Sequence, residues 1–416
     1  MKILITTDLY TVTTNGVVTS LKNLCEELEK LGHEVRILTF SENAHSRKDG
    51  KVYYIRSMPF PVYPDARTPM TYRHKLVREL IEWCPDVIHS QCEFFSFFFA
   101  RRISKKTGAP LVNTSHTMYE QYANYLIPGK RFGPFVARTF MKIRLRKVDA
   151  IIAPTKKVEE VLRSYGIKNR IAVIPTGINL DKHKEEMAEQ LRREKRAALG
   201  YTDDNLVLIN LGRLGAEKRT DEIIEFMKGA SEEHPNLRLL IVGDGPARAD
   251  LEAKTAELGL SELVRFTGMV APDEVHDYYQ LGDIFISASV SEAQGLTYIE
   301  ASANSLPLLC REDRCSLDVI EQGESGYTYT SEDDFREKLR KMAKDPEWRR
   351  SLGRRARLIA DSYDRSRFGL NAEALYNDLI EKRTPKQLKK AKRRHRKSLK
   401  AAKKRTAREA RRAAKT

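Results

Sequence analysis

Long apolar runs are missing from this chain. No stretch approaches the eighteen or so consecutive apolar residues that a membrane-spanning helix needs. The opening MKILITTDLY turns polar at Thr6, too soon for a secretory signal, so the expectation is a protein that stays inside the cell and does not span the membrane. Cysteine is scarce and odd in number: Cys25, Cys84, Cys92, Cys310 and Cys315, with no CxxC. That excludes a disulfide scaffold and leaves reduced thiols as the reading. Cys310 and Cys315, in CREDRC, have no second Cys/His pair beside them, so no metal site is expected. No short-period repeat occurs, which excludes a solenoid. Acidic residues almost vanish from the last 35 positions. Residues 382–416 carry eighteen Lys or Arg and the single acid Glu409, leaving 56 of the 74 basic and 56 of the 57 acidic residues to cancel in the body. The net charge of +17 and the pI of about 9.5 therefore describe a cationic tail on a neutral body.

What is present is hydrophobic content of 41% over 416 residues, enough for two domains with their own cores. Buried-strand runs alternate with amphipathic stretches. MKILITT is followed by VTSLKNLCEELEKLG, where Val18, Leu21, Leu24, Cys25, Leu28 and Leu31 recur at helical spacing and Gly32 ends the element. HEVRILTF, DVIHS, APLVNTS, DAIIAPT and RIAVIPTGIN continue the series. A second series runs through LVLINLGR, LRLLIVGDG, VRFTG, IFISASV and LPLLC. Strand and helix in alternation predict parallel sheets with helices on both faces, here α/β in two doubly wound, Rossmann-like domains. The expected divisions are 1–178, 179–364, a C-terminal helix 365–383 packing back on the first domain, and a basic tail 384–416.

In doubly wound sheets, ligands bind at the carboxyl ends of strands. Four unusual loops fall there. TTNGV, Thr13–Val17, opens the first helix; Gly16 permits close backbone approach, and the helix start favours an anion. NLGRLGAEKR offers Arg213 and Lys218, a pair suited to a diphosphate. VGDGP holds Gly243. SEAQGLTYIEA puts Glu292 before a helix beginning at Leu296–Thr297 and Glu300 one turn inside it. Taken singly, each has an ordinary explanation: a structural turn, a surface charge, an acid near a helix N-terminus. It is the recurrence on one predicted edge that points to a ligand site.

GRLGAEKR, VGDGP and the two glutamates of SEAQGLTYIE, in that order along residues 1–380, resemble the family 4 retaining glycosyltransferases of the GT-B fold. TSHTMYEQY and SEAQGLTYIEA resemble more narrowly the bacterial branch that glycosylates diacylglycerol lipids. The resemblance implies two domains facing a cleft, with a UDP-sugar in the second and the acceptor on the first. It implies that Glu300 holds the donor ribose and that Arg213 and Lys218 neutralise the leaving diphosphate. Gly16, Gly243, Gly295 and the Leu296 and Thr297 amides would assist the donor. Glu292 would contact the transferred hexose, and His116 would lie beside its anomeric carbon. Asn15, Tyr119 and Tyr122 would meet the acceptor. The implied transfer is front-face, without a resident metal or cofactor. Asn304-Ser305 replaces the glycine usual after the site helix, and Asn304 is expected to tolerate the left-handed turn. The proline usual before the first glycine loop is also absent, which bears on the acceptor loop.

Two stretches suit an anionic membrane. Residues 129–147 carry seven Lys/Arg, no acid, and Phe132, Phe135, Val136, Phe140 and Ile143 at helical spacing. A core helix with a solvated basic face fits the same pattern. Residues 382–416 are expected to be disordered in solution and helical at an anionic surface. The expectation is thus a cytoplasmic enzyme, peripheral on the inner face of the cell membrane, moving a hexose (glucose favoured) from a UDP-sugar to diacylglycerol or a monoglycosyl-diacylglycerol. A soluble or cell-wall glycan acceptor is the alternative. A nucleic-acid-binding protein is a distant third, since only the tail supports it.

Overall fold

The computed structural model describes residues 1–10, 16–43, 45–60, 63–116, 133–183, 185–397 and 400. The chain forms two compact units, Met1–Thr176 with Ser366–Thr416, and Gly177–Arg365.

The first unit is built on a nine-stranded sheet. Its strands are β1 (Lys2–Thr6), β2 (Glu34–Ser41), β3 (Arg47–Asp49), β4 (Val52–Phe60), β5 (Tyr63–Pro69), β6 (Val87–Ser90), β7 (Leu111–Thr114), β8 (Ala150–Ala153) and β9 (Arg170–Val173). The order is β3-β4-β2-β1-β6-β7-β8-β9, with β5 added on β4. Only β3 and β5 run antiparallel. β1 lies centrally, and Ile3, Leu4 and Ile5 are wholly buried. A strand covered on both faces reads as a continuous apolar run, as KILIT does. The helix Gly16–Lys30 buries Val18, Leu21, Leu24, Cys25 and Leu28. Leu31 is exposed, because the helix has ended at Lys30.

The helix Arg365–Glu381 returns to this unit and buries Phe368, Ala372, Leu375, Tyr376 and Leu379 in the core that Leu21, Leu24 and Leu28 share. The approach is close: a Cβ on Gly369 would come within 2.6 Å of Glu27 Cβ. Residues 385–397 are helical. The Gln387 amide donates to Asp149 Oδ1 at 3.2 Å, and Arg394 Nε donates to the Lys106 carbonyl at 2.9 Å. Gly108 adopts φ +83°, and its Cα faces the backbone of Gln387 and Ala391 so closely that a Cβ would meet the Gln387 carbonyl at 2.7 Å. The expectation of a disordered tail is corrected for this segment. The contacts are to backbone and polar groups, so no apolar stripe was there to be read.

The second unit carries a six-stranded parallel sheet of β10 (Leu206–Leu211), β11 (Leu237–Val242), β12 (Val264–Phe266), β13 (Ile284–Ser287), β14 (Leu308–Arg311) and β15 (Gly326–Tyr329). The order β12-β11-β10-β13-β14-β15 reverses direction between β10 and β13. That reversal is where doubly wound sheets open a crevice beyond the strand ends. Two apolar clusters cover the two faces, one around Leu208, Leu239 and Ile286, the other around Ile209, Leu240 and Phe285.

Candidate active site

In the second unit the loops leaving β10 and β13 meet. After β10, Arg213 projects outward and its guanidinium pairs with Glu217. The short helical turn Ala216–Lys218 then aims Lys218 at the β13 loop, where Nζ lies 2.5 Å from Glu292 Oε1. Ser291 Oγ ties the two loops again by donating to the Glu217 carbonyl at 3.2 Å. Cys315 Sγ–H donates to the Glu292 carbonyl at 3.2 Å. Four of the residues singled out from sequence are thus placed by one pair of loops: Arg213, Lys218, Glu292 and, just beyond, Gly295.

Gly295 takes φ +72°, and the helix Leu296–Ala303 starts behind it. A Cβ at Gly295 would come within 2.7 Å of the Tyr298 ring. The first amides of the helix, those of Leu296 and Thr297, fall before its intrahelical hydrogen-bond ladder begins. One turn in, Glu300 Oε2 accepts the Tyr279 hydroxyl at 2.9 Å. Burial pushes the Glu300 carboxyl up to about 7 from the ordinary 4.5, and the Tyr279 hydrogen bond only partly offsets that. The same burial, with Glu300 beside it, drives the Tyr279 phenol well above its usual value.

Gly243 serves this edge indirectly. Its φ is +134°, and a Cβ there would sit 1.9 Å from the Gly212 carbonyl oxygen. Leu214 N–H donates to the Asp244 carbonyl, and Ala247 N–H donates back to the Leu214 carbonyl. The VGDGP turn is therefore packed, backbone on backbone, against the loop that carries Arg213.

The turn after the site helix corrects one expectation. Ser305, not Asn304, adopts the left-handed conformation, at φ +58°. Asn304 is instead committed through its side chain: its amide lies 2.9 Å from His183 Nδ1 and 2.9 Å from the Glu300 carbonyl, and its oxygen lies 3.0 Å from His276 Nδ1. His183, His276 and Tyr279 were not foreseen, and no sequence spacing links them to Glu300. Tyr279 alone had a usable signal, as an apolar-face position of the helix Val275–Leu281.

In the first unit, Gly16 begins the helix Gly16–Lys30. His116 follows β7, and its Nε2 lies 2.7 Å from Gln91 Oε1. Burial holds the His116 imidazole down to about 4, so it is neutral at physiological pH. Asp8, just past β1, accepts the Ser96 N–H at 2.5 Å and is raised to about 6 by burial. Asn15, Tyr119 and Tyr122 lie outside the described residues.

The sequence signature of Glycosyltransferase Family 4 matches residues 14–182, and that of Glycosyl transferases group 1 matches residues 192–359. Alpha-monoglucosyldiacylglycerol synthase of Streptococcus pneumoniae is 34% identical over 80% of this chain and 76% of its own length.

The chain is a family 4 glycosyltransferase.

A second alpha-monoglucosyldiacylglycerol synthase, from Acholeplasma laidlawii, is 31% identical over 94% of this glycosyltransferase and all of its own length. Among solved structures, HepE of Anabaena in complex with UDP and glucose shares 17% identity at a TM-score of 0.71, over 91% of this chain and 100% of that one. That likeness is one of fold, and the fold is GT-B: two Rossmann-like domains, as the two sheets of this glycosyltransferase also describe.

Proposed function

We propose that this glycosyltransferase moves glucose from UDP-glucose to diacylglycerol, or to a diacylglycerol already bearing one sugar, with retention of configuration at a membrane surface. The observation that supports this reading is the strand-end edge of the second unit, where Lys218 of the β10 loop, which also carries Arg213, meets Glu292 of the β13 loop, and Glu300 lies one turn into the helix that follows. The two synthases named above support the lipid acceptor by their identity across most of the chain.

In this reading the Glu300 carboxylate takes the ribose hydroxyls. Arg213 and Lys218 leave their carboxylate partners for the diphosphate and stabilise its developing charge. The bond from the anomeric carbon to the diphosphate oxygen breaks as the bond to the acceptor oxygen forms on the same face. The acceptor proton passes to the departing phosphate oxygen. Glu292 holds the transferred hexose, His116 faces a sugar hydroxyl, and Gly243 and Gly295 shape the loops. Two carboxylates flanking the sugar, the arrangement of retaining hydrolases, are not needed, since Glu300 serves the ribose. No resident metal or cofactor takes part.

The membrane surface is read from the first unit. The helix Gly133–Leu145 buries Met141 and Leu145 but leaves Phe135, Val136 and Ile143 exposed. Arg144 lies over the rings of Phe98 and Phe140, at 4.1 and 4.9 Å. Lys147 sits among Arg101, Lys105, Arg144 and Arg146, whose charges add to burial in lowering its pKa. The helical segment 385–397 is docked at Lys106 and Gly108 and adds its own cations. Each basic residue near an anionic leaflet contributes roughly 1 kcal/mol. No helix among the described residues is long and apolar enough to cross a membrane.

The test is an acceptor panel. Full-length protein with labelled UDP-glucose is offered dioleoylglycerol, its monoglucosyl derivative, and water-soluble glycans. Label entering the organic phase with either lipid is the expected result; label confined to water-soluble products makes the glycan-acceptor reading the right one.

A further inference from the structure

A line of hydrogen bonds crosses the interior of the first unit and ends at His116. It begins on the helix Arg365–Glu381, where the Tyr376 hydroxyl lies 2.6 Å from His89 Nδ1. The other ring nitrogen of His89, Nε2, is 2.6 Å from Thr114 Oγ1 and 3.3 Å from the Gln91 amide nitrogen. The Gln91 carboxamide oxygen faces His116 Nε2 at 2.7 Å. His89 and Tyr376 are wholly buried, and Gln91 is 2% exposed. The backbone sets the spacing. Gln91 N–H donates to the Thr6 carbonyl at 2.8 Å, which seats Gln91 at the ends of β1 and β6, where this sheet reverses direction.

The carboxamide gives the line its polarity. With its NH₂ toward His89 it donates to a lone pair on His89 Nε2, to which the Thr114 hydroxyl at 2.6 Å also donates; with its oxygen toward His116 it accepts the hydrogen of His116 Nε2. His89, neutral because burial holds it at about 3, then carries its own hydrogen on Nδ1 and donates to the Tyr376 oxygen. His116 is neutral too, so its lone pair is on Nδ1. A neutral imidazole with that nitrogen unprotonated accepts a hydrogen bond from a hydroxyl and does not repel an adjacent cationic centre.

We propose that Gln91 is the positioning residue of His116, selecting the tautomer in which Nδ1 accepts a sugar hydroxyl, and that His89 and Tyr376 lock Gln91 in that orientation. This rests on the reading of His116 as a sugar-facing residue. It adds that the C-terminal helix, through Tyr376, is part of the arrangement that prepares it.

The experiment uses full-length protein with ¹⁵N-labelled histidine and follows the ring nitrogens by long-range proton–nitrogen correlation from pH 5 to 8. Wild-type His116 is expected as the Nε2–H tautomer throughout. Gln91→Leu should release it to a tautomer mixture. Gln91→Glu, nearly isosteric, should make it an imidazolium at neutral pH, because an adjacent carboxylate favours the charged ring. Tyr376→Phe should move the His89 signals. Both Gln91 variants should lower kcat by about tenfold to a hundredfold, the scale of a misplaced group, with KM for UDP-glucose unchanged within about twofold. An unaltered His116 spectrum in Gln91→Leu and Gln91→Glu overturns the positioning role and leaves His116 itself untouched. Wild-type turnover in His116→Ala overturns the sugar-facing reading of His116, and with it the hydroxyl half of the proposal, whatever the spectra show.

Discussion

Replacing Glu300 by Gln should make the unliganded protein more stable at pH 8 and leave it unchanged at pH 4. In the native state this carboxyl is raised to about 7, against 4.5 when free, because it is buried beside Tyr279. A group whose folded value is raised contributes stability that is complete below its free value and is lost as pH climbs through the folded value. The window here runs from 4.5 to about 7. At 1.36 kcal/mol per pH unit the full loss is roughly 3 kcal/mol. Solvent reaches the edge of the side chain, so roughly half of that is the better figure. Glutamine keeps the oxygen that accepts from Tyr279 and carries no charge to desolvate. For a unit of this size, about 1.5 kcal/mol corresponds to roughly 3–6 °C in Tm. The assay is thermal unfolding of wild type and Glu300→Gln from pH 4 to 8.5, without and with UDP. Without UDP the two curves should separate only above about pH 5. With UDP the order should reverse, because wild type gains the ribose hydrogen bonds of an ionised carboxylate. A Tm difference independent of pH, or equal stabilisation of both proteins by UDP, would refute the reasoning.

Arg213→Ala should lower turnover by about 10² to 10³-fold, the scale for one positioned electrostatic group, and unchanged turnover in steady-state assays would remove Arg213 from the diphosphate. Activity should persist in excess EDTA, since Arg213, Lys218 and helix N-termini supply the positive charge; loss on chelation, restored by magnesium or manganese, would show a metal in that role. Gly243→Ala should cost roughly 3 kcal/mol in urea unfolding, because φ +134° and a contact of 1.9 Å with the Gly212 oxygen are both forced on the new side chain. Truncation after Glu381 should move the protein off vesicles containing anionic lipid, a loss read by co-sedimentation; equal sedimentation with and without the tail would leave attachment to the helix Gly133–Leu145 and its basic neighbours.

The parallel core strands were legible because a strand buried on both faces must be apolar throughout, and KILIT, LVLINL and LRLLIV are. The edge of the first sheet was not. β3 is exposed, β4 mixes buried Val52, Tyr53 and Ile55 with exposed Arg56, Met58 and Pro59, and β5 carries two prolines, so no period stands out. At the site, the residues whose positions follow from local backbone geometry were readable: Gly295 at its helix entry, Glu300 one turn inside it, and Arg213 and Lys218 following one strand. Those missed act across the fold. Tyr279 reaches Glu300 from 21 positions away, His183 reaches Asn304 from 121, and Tyr376 reaches His89 from 287. Long-range pairing of this kind leaves no local pattern. The docked segment 385–397 was missed for a related reason: it is held by a glycine gap at Gly108 and by hydrogen bonds to carbonyls, while its composition reads as a solvated cationic run.

The most direct measurement is the product itself. Full-length protein is incubated with UDP-[¹³C]glucose and dioleoylglycerol or its monoglucosyl derivative in anionic vesicles, and each lipid extract is examined by NMR at the anomeric carbon. The account predicts a glucosyl-diacylglycerol whose anomeric coupling is that of the α linkage, matching the donor. A β-linked product would contradict retention, and an organic phase without label would contradict the lipid acceptor.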